Sequence, residues 1–426
     1  MINTYASLHG HSEYSSAVLR FPDAIGHVSD YVKWCYENGL YGYAISDHQS
    51  VAGYVDLEQA IDEIKPERKF VHIFANEFYL ISKEENDLVN SETERPTYWH
   101  FMVYVKDKIG LKQMYELSSR AWLRSYTYRG LLRRPSFYDD FEEVVGNDKG
   151  HLLCSSACLG GRLPKYILND DVKGALKFID WCQSTFGKEN FYLECQPCHD
   201  DNAEQIKVNK ALWQLHTQFN VPIIVTTDSH YMRPEDKLTH TTFLLSKDGG
   251  DGREPDKFYA TTYLFTPNEL RDMLHICFND DQIDVLFQTT IDIADRIEPI
   301  RLQHKTKVPA LPKIPEHQVK HYYKEYYDRY PNIKYYANSS NDHETYYYSE
   351  VEKGLYKYAS THDINLEEYL KEIDWEMEQV KGLGEIFDGE CMCDYFTVVQ
   401  KNIDLIWSEG DSLVGIGRGS DGAYVT

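Results

Sequence analysis

Short apolar runs alternate with amphipathic stretches through the first half of the chain. The runs have the length and the β-branched or aromatic content of strands. They cover residues 41–46, 70–80, 99–105, 151–156, 191–195 and 221–227. Between them lie stretches such as 24–39, where apolar residues recur at helical spacing and Gly39 can end the helix. Strands that alternate with helices are typical of a mostly parallel sheet, either open or closed into a barrel.

The pattern changes near residues 302–316, where three closely spaced prolines predict a linker. Residues 322–348 then hold ten tyrosines among polar residues. We expect a solvated insertion here, and stacking of exposed tyrosines on nucleic-acid bases is the alternative. Two helices are predicted beyond it. The first begins after an Asn365 N-cap and ends at Gly382, and the second lies near 394–409.

Composition narrows the class of protein. The 426 residues allow two or three domains at about 150 residues each. The chain has 44 Lys and Arg against 68 Asp and Glu, a net charge of −24. This excludes a surface that binds nucleic acid everywhere, because such binding relies on cations that neutralise phosphates. A local basic groove, or metal ions between acidic residues and phosphates, remains compatible with the charge.

Nothing in the sequence indicates export or a membrane. No apolar run approaches the roughly 20 residues that span a bilayer, and the first residues do not resemble a signal peptide. Nine cysteines in a chain of this length do not indicate a disulfide framework. We therefore expect a soluble, cytoplasmic protein without a membrane partner.

The most basic stretch of this acidic chain carries five arginines. It could follow a nucleic-acid backbone. A solvated helix face, or ion pairs with the acidic segment 139–143, accounts for it equally well. These residues are Arg120, Arg124, Arg129, Arg133 and Arg134.

Potential metal ligands lie at the ends of the apolar runs. His9 and His11 are two residues apart, so a strand would place both imidazoles on one face. The others are Asp47, His48, Glu77, His100, Cys158, Asp228 and His230. Nitrogen, oxygen and thiolate ligands at strand ends suit Zn²⁺ or Mn²⁺. The set exceeds what one tetrahedral ion needs, so we expect two or three ions and phosphate-ester hydrolysis. Unrelated histidines are the alternative, but they would not collect at strand ends.

Ordered motifs in the chain resemble a known family. The segments SLHGHSEYS, AISDHQSVAG, ANEFYL, the strand with His100, CSSACLGGRLP and TTDSHYM resemble the PHP (polymerase and histidinol phosphatase) domain. More narrowly, they resemble the N-terminal PHP domain of the bacterial DNA polymerase III alpha subunit, of family C. Downstream, QTTIDIADRI, LPKIP, VEKGLYKY, CDYFTVVQKNIDLI and VGIGRGS resemble the start of that family's polymerase core.

The resemblance implies an architecture and a ligand set. It implies an α/β fold, with a PHP-type distorted β/α barrel at 1–285. A truncated α+β palm-like polymerase segment would follow at 286–426, with the Tyr-rich insertion near 316–350. Asp23 joins the ligands if SAVLRF is a short insertion, whereas a direct count reaches Val18. Glu77 and Asp47 are the implied catalytic carboxylates, Asp47 as an orienting group. The implied metal ligands are His9, His11, Asp23, His48, Glu77, His100, Cys158, Asp228 and His230.

The glycine-rich motif at 417–420 implies a second site. Glycines let a backbone approach phosphate closely, and an arginine can bind its oxygens in a bidentate manner. By resemblance, Arg418, Gly419 and Ser420 contact the triphosphate of an incoming nucleotide; an ordinary glycine turn is the alternative. The family's catalytic aspartates follow this motif. We therefore expect polymerisation, with Mg²⁺, to need a further C-terminal part.

The expected function is the N-terminal part of a replicative DNA-directed DNA polymerase. Its partners would be DNA, deoxynucleoside triphosphates, the remaining polymerase part and replisome subunits such as the sliding clamp. The PHP domain would be a metal-dependent phosphoesterase or 3′→5′ exonuclease. Two alternatives remain: a free-standing phosphoesterase of histidinol-phosphatase type, and a structural PHP scaffold without activity.

Overall fold

A computed structural model describes residues 1–19, 23–246, 259–302, 307–311, 313–387, 389 and 391–410. They divide into two compact units, Met1–Leu302 and the residues beyond it. This division falls at the start of the predicted linker and beyond the predicted domain border at 285. The helix Asp280–Arg296 belongs with the first unit, since Thr290 Oγ1 accepts a hydrogen bond from Ala6 N at 2.9 Å. The predicted nucleotide-binding residues Arg418, Gly419 and Ser420 lie outside the described residues.

The strands of the first unit form one curled sheet and one separate hairpin. The sheet order is β1-β2-β3-β4-β8-β9-β10, with β7 paired beside β3, and β5 pairs with β6. The strands are β1 (Ala6–Ser7), β2 (Gly42–Ile45), β3 (Val71–Ile81), β4 (Trp99–Val105), β5 (Tyr126–Tyr128), β6 (Leu131–Arg133), β7 (Ser136–Phe137), β8 (Leu152–Ser155), β9 (Phe191–Cys195) and β10 (Ile223–Val225). All six predicted strands are present, with β10 shorter than the predicted 221–227.

The sheet is parallel except at β4, which runs antiparallel to both β3 and β8. The two outer strands meet where β1 and β10 end. There His11 N donates to Ser229 O at 2.8 Å, and Ser229 N donates to His9 O at 3.2 Å. The sheet is therefore closed by backbone hydrogen bonds at this end, which we call the mouth. The predicted α/β class with a barrel-like sheet is confirmed.

Helices cover the outside of the sheet. The predicted amphipathic stretch 24–39 forms a helix over Val28–Glu37, which buries Val28, Tyr31, Val32 and Cys35 as its apolar spacing requires. The α-helices of this unit are Glu13–Leu19, Val28–Glu37, Tyr54–Ile64, Lys83–Asp87, Lys108–Leu123, Tyr138–Val144, Arg162–Leu168, Val172–Phe186, Ala203–Phe219, Lys237–Leu245, Pro267–Leu274 and Asp280–Arg296. Short 3₁₀ turns occur at Leu88–Asn90, Lys188–Asn190 and Pro234–Asp236. No helix in the described ranges is both long and apolar enough to cross a bilayer.

Strand alternation divides the core into two layers. One face of each strand packs against the helices, in a large cluster that includes Phe74, Phe78 and Phe101. The other face lines the barrel interior with a smaller cluster that includes Ile73, Ala75, Met102, Tyr104, Tyr192 and Ile224. Because side chains alternate with a period of two, Glu77, His100 and Glu194 continue these interior rows toward the mouth.

In the described residues the second unit is helical. Its helices are Pro331–Ala337, Asp342–Thr361, Leu366–Ile386 and Cys393–Ser408, with a 3₁₀ turn at Lys324–Tyr326. The β component predicted for this segment has no counterpart among them. The helix after Asn365 continues past Gly382 to Ile386, and the Asn365 side chain makes no capping hydrogen bond. Gly382 and Gly384 both lie inside this helix, so neither glycine ends it.

The Tyr-rich stretch forms the core of the second unit, so its expected solvated character is wrong. Tyr336 and Tyr348 are each only 2% exposed, and Tyr347 is also buried. They pack with Ile373 and Met377 of the helix Leu366–Ile386. Tyrosine rings carry enough apolar surface to build a core.

Candidate metal centre

The predicted ligands converge at the mouth of the barrel. His9 and His11 follow β1, His48 follows β2, Glu77 lies in β3, and Asp228 and His230 follow β10. Three overlapping groups have ligand atoms within 4.8 Å of one another. They are His11, Asp23, His48 and His230; His9, His11, Glu77 and Asp228; and His48, Glu77 and His100.

The direction of β4 explains how His100 reaches this centre. Apart from Asp23, which lies between two helices, the other ligands follow the carboxyl ends of parallel strands or lie near them. His100, by contrast, is the second residue of its strand. Because β4 is antiparallel to its neighbours, its beginning lies at the same end of the sheet as their ends. His100 pairs in register with Tyr79, two residues beyond Glu77.

The central group has the spacing of ligands around one ion. His9 Nε2 lies 3.2 Å from His11 Nε2, and Asp228 Oδ1 lies 3.2 Å from each. The two oxygens of Glu77 lie 3.3 Å from His9 Nε2 and 3.2 Å from His11 Nε2. Tetrahedral ligands bound to zinc at 2.0–2.1 Å lie about 3.3 Å from one another. The donor set therefore fits a metal ion.

Hydrogen bonds behind the histidines direct their lone pairs into this space. His9 Nδ1 donates to Glu194 Oε1 at 2.7 Å. His11 Nδ1 donates to Ser15 Oγ at 3.0 Å, because the Ser15 hydroxyl itself donates to Asp47 Oδ1 at 2.8 Å. In the neutral imidazoles, both Nε2 atoms would then face carboxylate oxygens without a hydrogen between them. Only a proton or a metal cation can compensate such a buried set of acceptors.

Glu194 is a residue of the candidate centre that the sequence analysis missed. It is 1% exposed, and it accepts hydrogen bonds from Thr226 Oγ1 at 2.6 Å and from Ser155 Oγ as well as from His9. A carboxylate that orients a metal-binding imidazole is a recurrent feature of metal sites. The sequence signal for it is a charged residue inside a predicted strand, because burying a carboxylate without a partner costs free energy.

Asp47 has the orienting position that the sequence analysis assigned to it. It accepts hydrogen bonds from Ser12 N at 2.7 Å, Ser12 Oγ at 2.9 Å and Ser15 Oγ. It therefore acts on His11 through Ser15 and holds the turn after the first histidines. This geometry supports a positioning role for Asp47, since it lies one hydrogen bond behind the ligand atoms.

Asp23 lies in the first group, at the position that the insertion argument indicated. Its Oδ2 is 3.6 Å from His48 Nε2 and 3.6 Å from His230 Nε2. This oxygen is buried and has no hydrogen-bond partner. His240, which was not predicted, donates from Nε2 to the Asp23 carbonyl oxygen at 2.5 Å and so holds the backbone of the ligand.

Cys158 approaches the third group without joining it. Glu77 joins that group through Oε2, 3.0 Å from His48 Nδ1, and Oε1, 2.9 Å from His100 Nδ1. Cys158 Sγ is 3.3 Å from His100 Nδ1 and 3.7 Å from Glu77 Oε1. Burial raises the pKa of the Cys158 thiol well above its usual value. Only a bound cation would therefore make this thiol an ionised ligand.

The backbone of the mouth is held in unusual conformations. Gln49, Ala157 and Asp228 have φ values of 52°, 60° and 47°. Each is a ligand residue or precedes or follows one directly. Non-glycine residues in this region are strained, and they persist where the surrounding structure fixes them. The backbone at the mouth is therefore locally strained at or beside the residues whose side chains form the centre.

Charge in the cluster favours a bound cation. Burial alone would raise the pKa of Glu77, but His100 and His9 outweigh it and hold that pKa well below its usual range. Burial would lower the pKa of His11, but its hydrogen bonds with Asp228 and Glu77 raise it to about 10. Burial lowers the pKa of His48 to about 4. A metal ion entering the centre would therefore displace a proton.

A known family model matches part of the first unit. Residues 7–198 match the PHP domain model. The match ends before Asp228 and His230, which the structure adds to the same centre.

The relatives are DNA polymerases. The chain is 30% identical over 441 residues to the probable DNA polymerase YorL of Bacillus subtilis (strain 168), and equally to the DNA-directed DNA polymerase of Bacillus phage SPbeta. Each alignment covers 98% of this chain and 33% of the relative. The DNA polymerase III subunit alpha of Thermus aquaticus is 27% identical over 322 residues, which cover 73% of this chain and 24% of the relative. The predicted kinship with DNA polymerase III alpha is confirmed, and the chain spans about a third of the length of these relatives.

A solved structure also resembles the chain. The crystal structure of a proposed metal-dependent phosphoesterase from Bifidobacterium adolescentis matches 66% of this chain and 99% of its own length, at 11% identity and a TM-score of 0.35.

Proposed function

We propose that the first unit is a metal-dependent phosphoesterase that removes nucleotides from 3′ ends of nucleic acid. The observation that carries this proposal is the sharing of ligands between three groups, with both oxygens of Glu77 used and Asp228 Oδ1 beside two imidazoles. Ligands that are shared in this way place ions close together. Closely spaced ions are the arrangement that suits phosphodiester hydrolysis.

The residues that would hold the metal are the nine predicted ones, with Cys158 at the margin. Two or three ions of Zn²⁺ or Mn²⁺ would polarise the phosphate and increase the acidity of a nucleophilic water. The protein's own contribution is orientation. Glu194 and Ser15 hold the imidazoles of His9 and His11, and the hydroxyls of Thr226 and Ser155 hold Glu194 in turn.

We further propose that the chain works as part of a replicative DNA polymerase in the cytoplasm. The relatives support DNA and deoxynucleoside triphosphates as substrates of the larger protein. In that protein, residues 286–426 would begin the polymerase core, and Arg418, Gly419 and Ser420 would contact the nucleotide triphosphate. Polymerisation would use Mg²⁺ and the remaining polymerase part, together with replisome subunits such as the sliding clamp.

The experiment is release of mononucleotides from a 3′-labelled oligonucleotide with added Mn²⁺ or Zn²⁺. We expect release by the wild-type chain and none by Glu77→Gln, which removes the charge of the shared ligand. Glu67→Gln is the matched control, because Glu67 is exposed on the same unit. Equal rates in all three proteins would indicate a contaminating nuclease, and the centre would then be a structural scaffold.

A further inference from the structure

The β5–β6 hairpin is attached to the loop that carries a candidate ligand. Trp122, just before the hairpin, donates from Nε1 to Gln49 O at 2.7 Å. Ser136, just after it, accepts a hydrogen bond from Gln49 Nε2 at 3.1 Å. Gln49 directly follows His48. Both ends of the hairpin are therefore fixed beside the metal centre.

A row of tyrosines connects the centre with the hairpin. The Tyr79 ring stacks on His48, with centroids 5.1 Å apart, and lies 5.4 Å from the ring of His100. Tyr98 follows at 6.4 Å from Tyr79. The Tyr98 hydroxyl is hydrogen-bonded to that of Tyr126, in β5. The aromatic surface thus begins at two candidate ligands and reaches the hairpin without a break.

The arginines of this region differ in their partners. Arg120 pairs with Glu143 and Glu116, and Arg124 pairs with Asp140. The ion-pair alternative is therefore confirmed for Arg120 and Arg124, because carboxylates of the same unit neutralise their charge. Arg134 is a buried side chain whose guanidinium lies 4.0 Å from the Trp122 ring centroid.

Arg129 and Arg133 are the remaining two, and they lie on the hairpin itself. Neither forms an ion pair with a carboxylate in the described part of the chain. The Arg133 guanidinium lies 5.0 Å from the Tyr98 ring centroid, and its buried Nε has no hydrogen-bond partner there. Arg129 is exposed in the turn, over the ring of Tyr128 at 5.6 Å. In a chain of net charge −24, this local positive charge is available to an external anion.

We propose that these side chains form a binding ridge for single-stranded nucleic acid. The ridge consists of Tyr79, Tyr98, Tyr126, Arg129 and Arg133. The two guanidinium groups bind phosphates of the strand, and the tyrosine rings pack against its bases or sugars. A strand on the ridge has its terminal phosphodiester at the metal centre, because the ridge begins at His48 and His100. This role rests on the proposed function, whereas binding can be measured without hydrolysis.

The test is fluorescence anisotropy of a labelled oligothymidylate with phosphorothioate linkages, which keep the charge and resist hydrolysis. We expect Arg133→Gln to weaken binding about tenfold, as for one lost charge-assisted contact. The plot of log affinity against log salt should become shallower by about 0.7 for that contact. Arg329→Gln is the matched control, because Arg329 is exposed and pairs with Glu367 in the second unit.

Two substitutions at Tyr98 test the role of the tyrosine rings. Tyr98→Phe retains the ring and should bind nearly as the wild type does, whereas Tyr98→Leu should bind more weakly. The melting temperature of each variant shows whether the fold is intact. Unchanged affinity and salt slope in the double variant Arg129→Gln/Arg133→Gln would overturn the ridge, and so would a wild-type chain that does not bind the oligonucleotide.

A small chromogenic phosphodiester separates the two proposals. Such a substrate reaches the metal centre without extending along the ridge. If it is not hydrolysed but the oligonucleotide binds through the arginines, the ridge stands and the phosphoesterase proposal fails. If it is hydrolysed but the arginine variants leave oligonucleotide affinity unchanged, the phosphoesterase stands and the ridge fails.

Discussion

Replacing Glu194 by glutamine should weaken metal binding without unfolding the protein. The substitution retains shape but removes the charge that faces His9 Nδ1 at 2.7 Å. The amide oxygen can still accept from His9 and Thr226, and the Ser155 hydroxyl can rotate to accept from the new amide group. What His9 loses is the charge assistance of its one hydrogen bond to this side chain. Hydrogen bonds to charged groups contribute about 1.5–3 kcal/mol and neutral ones about 0.5–1.5 kcal/mol.

The difference, about 1–1.5 kcal/mol, corresponds to roughly a tenfold loss of metal affinity, at the lower end of the 10–100-fold range typical of orienting residues. The assay is competition for Zn²⁺ with a chromogenic chelator at neutral pH. Glu189→Gln is the control, because Glu189 is exposed just before β9. An affinity unchanged in Glu194→Gln would refute the reasoning that this carboxylate orients a metal-binding imidazole.

Two further predictions concern stability. Arg233, together with hydrogen bonds from Thr266, lowers the pKa of Glu269 to about 2. The stabilisation is therefore complete above the unfolded-state pKa near 4.5 and is lost as pH falls toward 2. The melting temperature of wild type should exceed that of Glu269→Gln at pH 7, and the gap should narrow below about pH 4.5; a gap that is constant with pH would contradict this. Tyr336→Ala should destabilise the second unit by about 3 kcal/mol or more, measured by urea unfolding, because it empties a buried aromatic position. The same variant should leave the metal content unchanged, and loss of the metal would show that the centre depends on the second unit.

The strands and most of the centre could be predicted from the sequence because their signals are local. Apolar runs such as 99–105 fix the strands, and His9 and His11 share a face whatever the rest of the fold does. For Glu194 the sequence offers only its place in a predicted strand, because its hydrogen-bond partners Ser155, in β8, and Thr226, just after β10, are brought to it by the fold. The antiparallel direction of β4, which brings His100 to the mouth, is likewise set by how the strands pair. It cannot be predicted from the sequence of β4 itself.

Other differences arise from packing between distant segments. Polar neighbours made the tyrosines at 322–348 look solvated, yet half of them are buried in one cluster with residues of the helix Leu366–Ile386. The five are Tyr323, Tyr327, Tyr336, Tyr347 and Tyr348. The β5–β6 hairpin is short, and its strands carry little periodicity to detect. The sequence could not show which arginines at 120–134 form ion pairs. Only the fold shows that Arg120 pairs with Glu143 and that Arg124 pairs with Asp140.

The number of metal ions per chain tests the central claim most directly. Elemental analysis of purified protein, handled without chelators, should find two or three Zn²⁺ or Mn²⁺ ions per chain, as the three overlapping ligand groups require. Glu77→Ala should lose at least one ion, because Glu77 belongs to two of those groups, while Glu67→Ala should retain the wild-type count. A wild-type chain that contains no metal, and takes up none when Zn²⁺ or Mn²⁺ is supplied, would contradict the account.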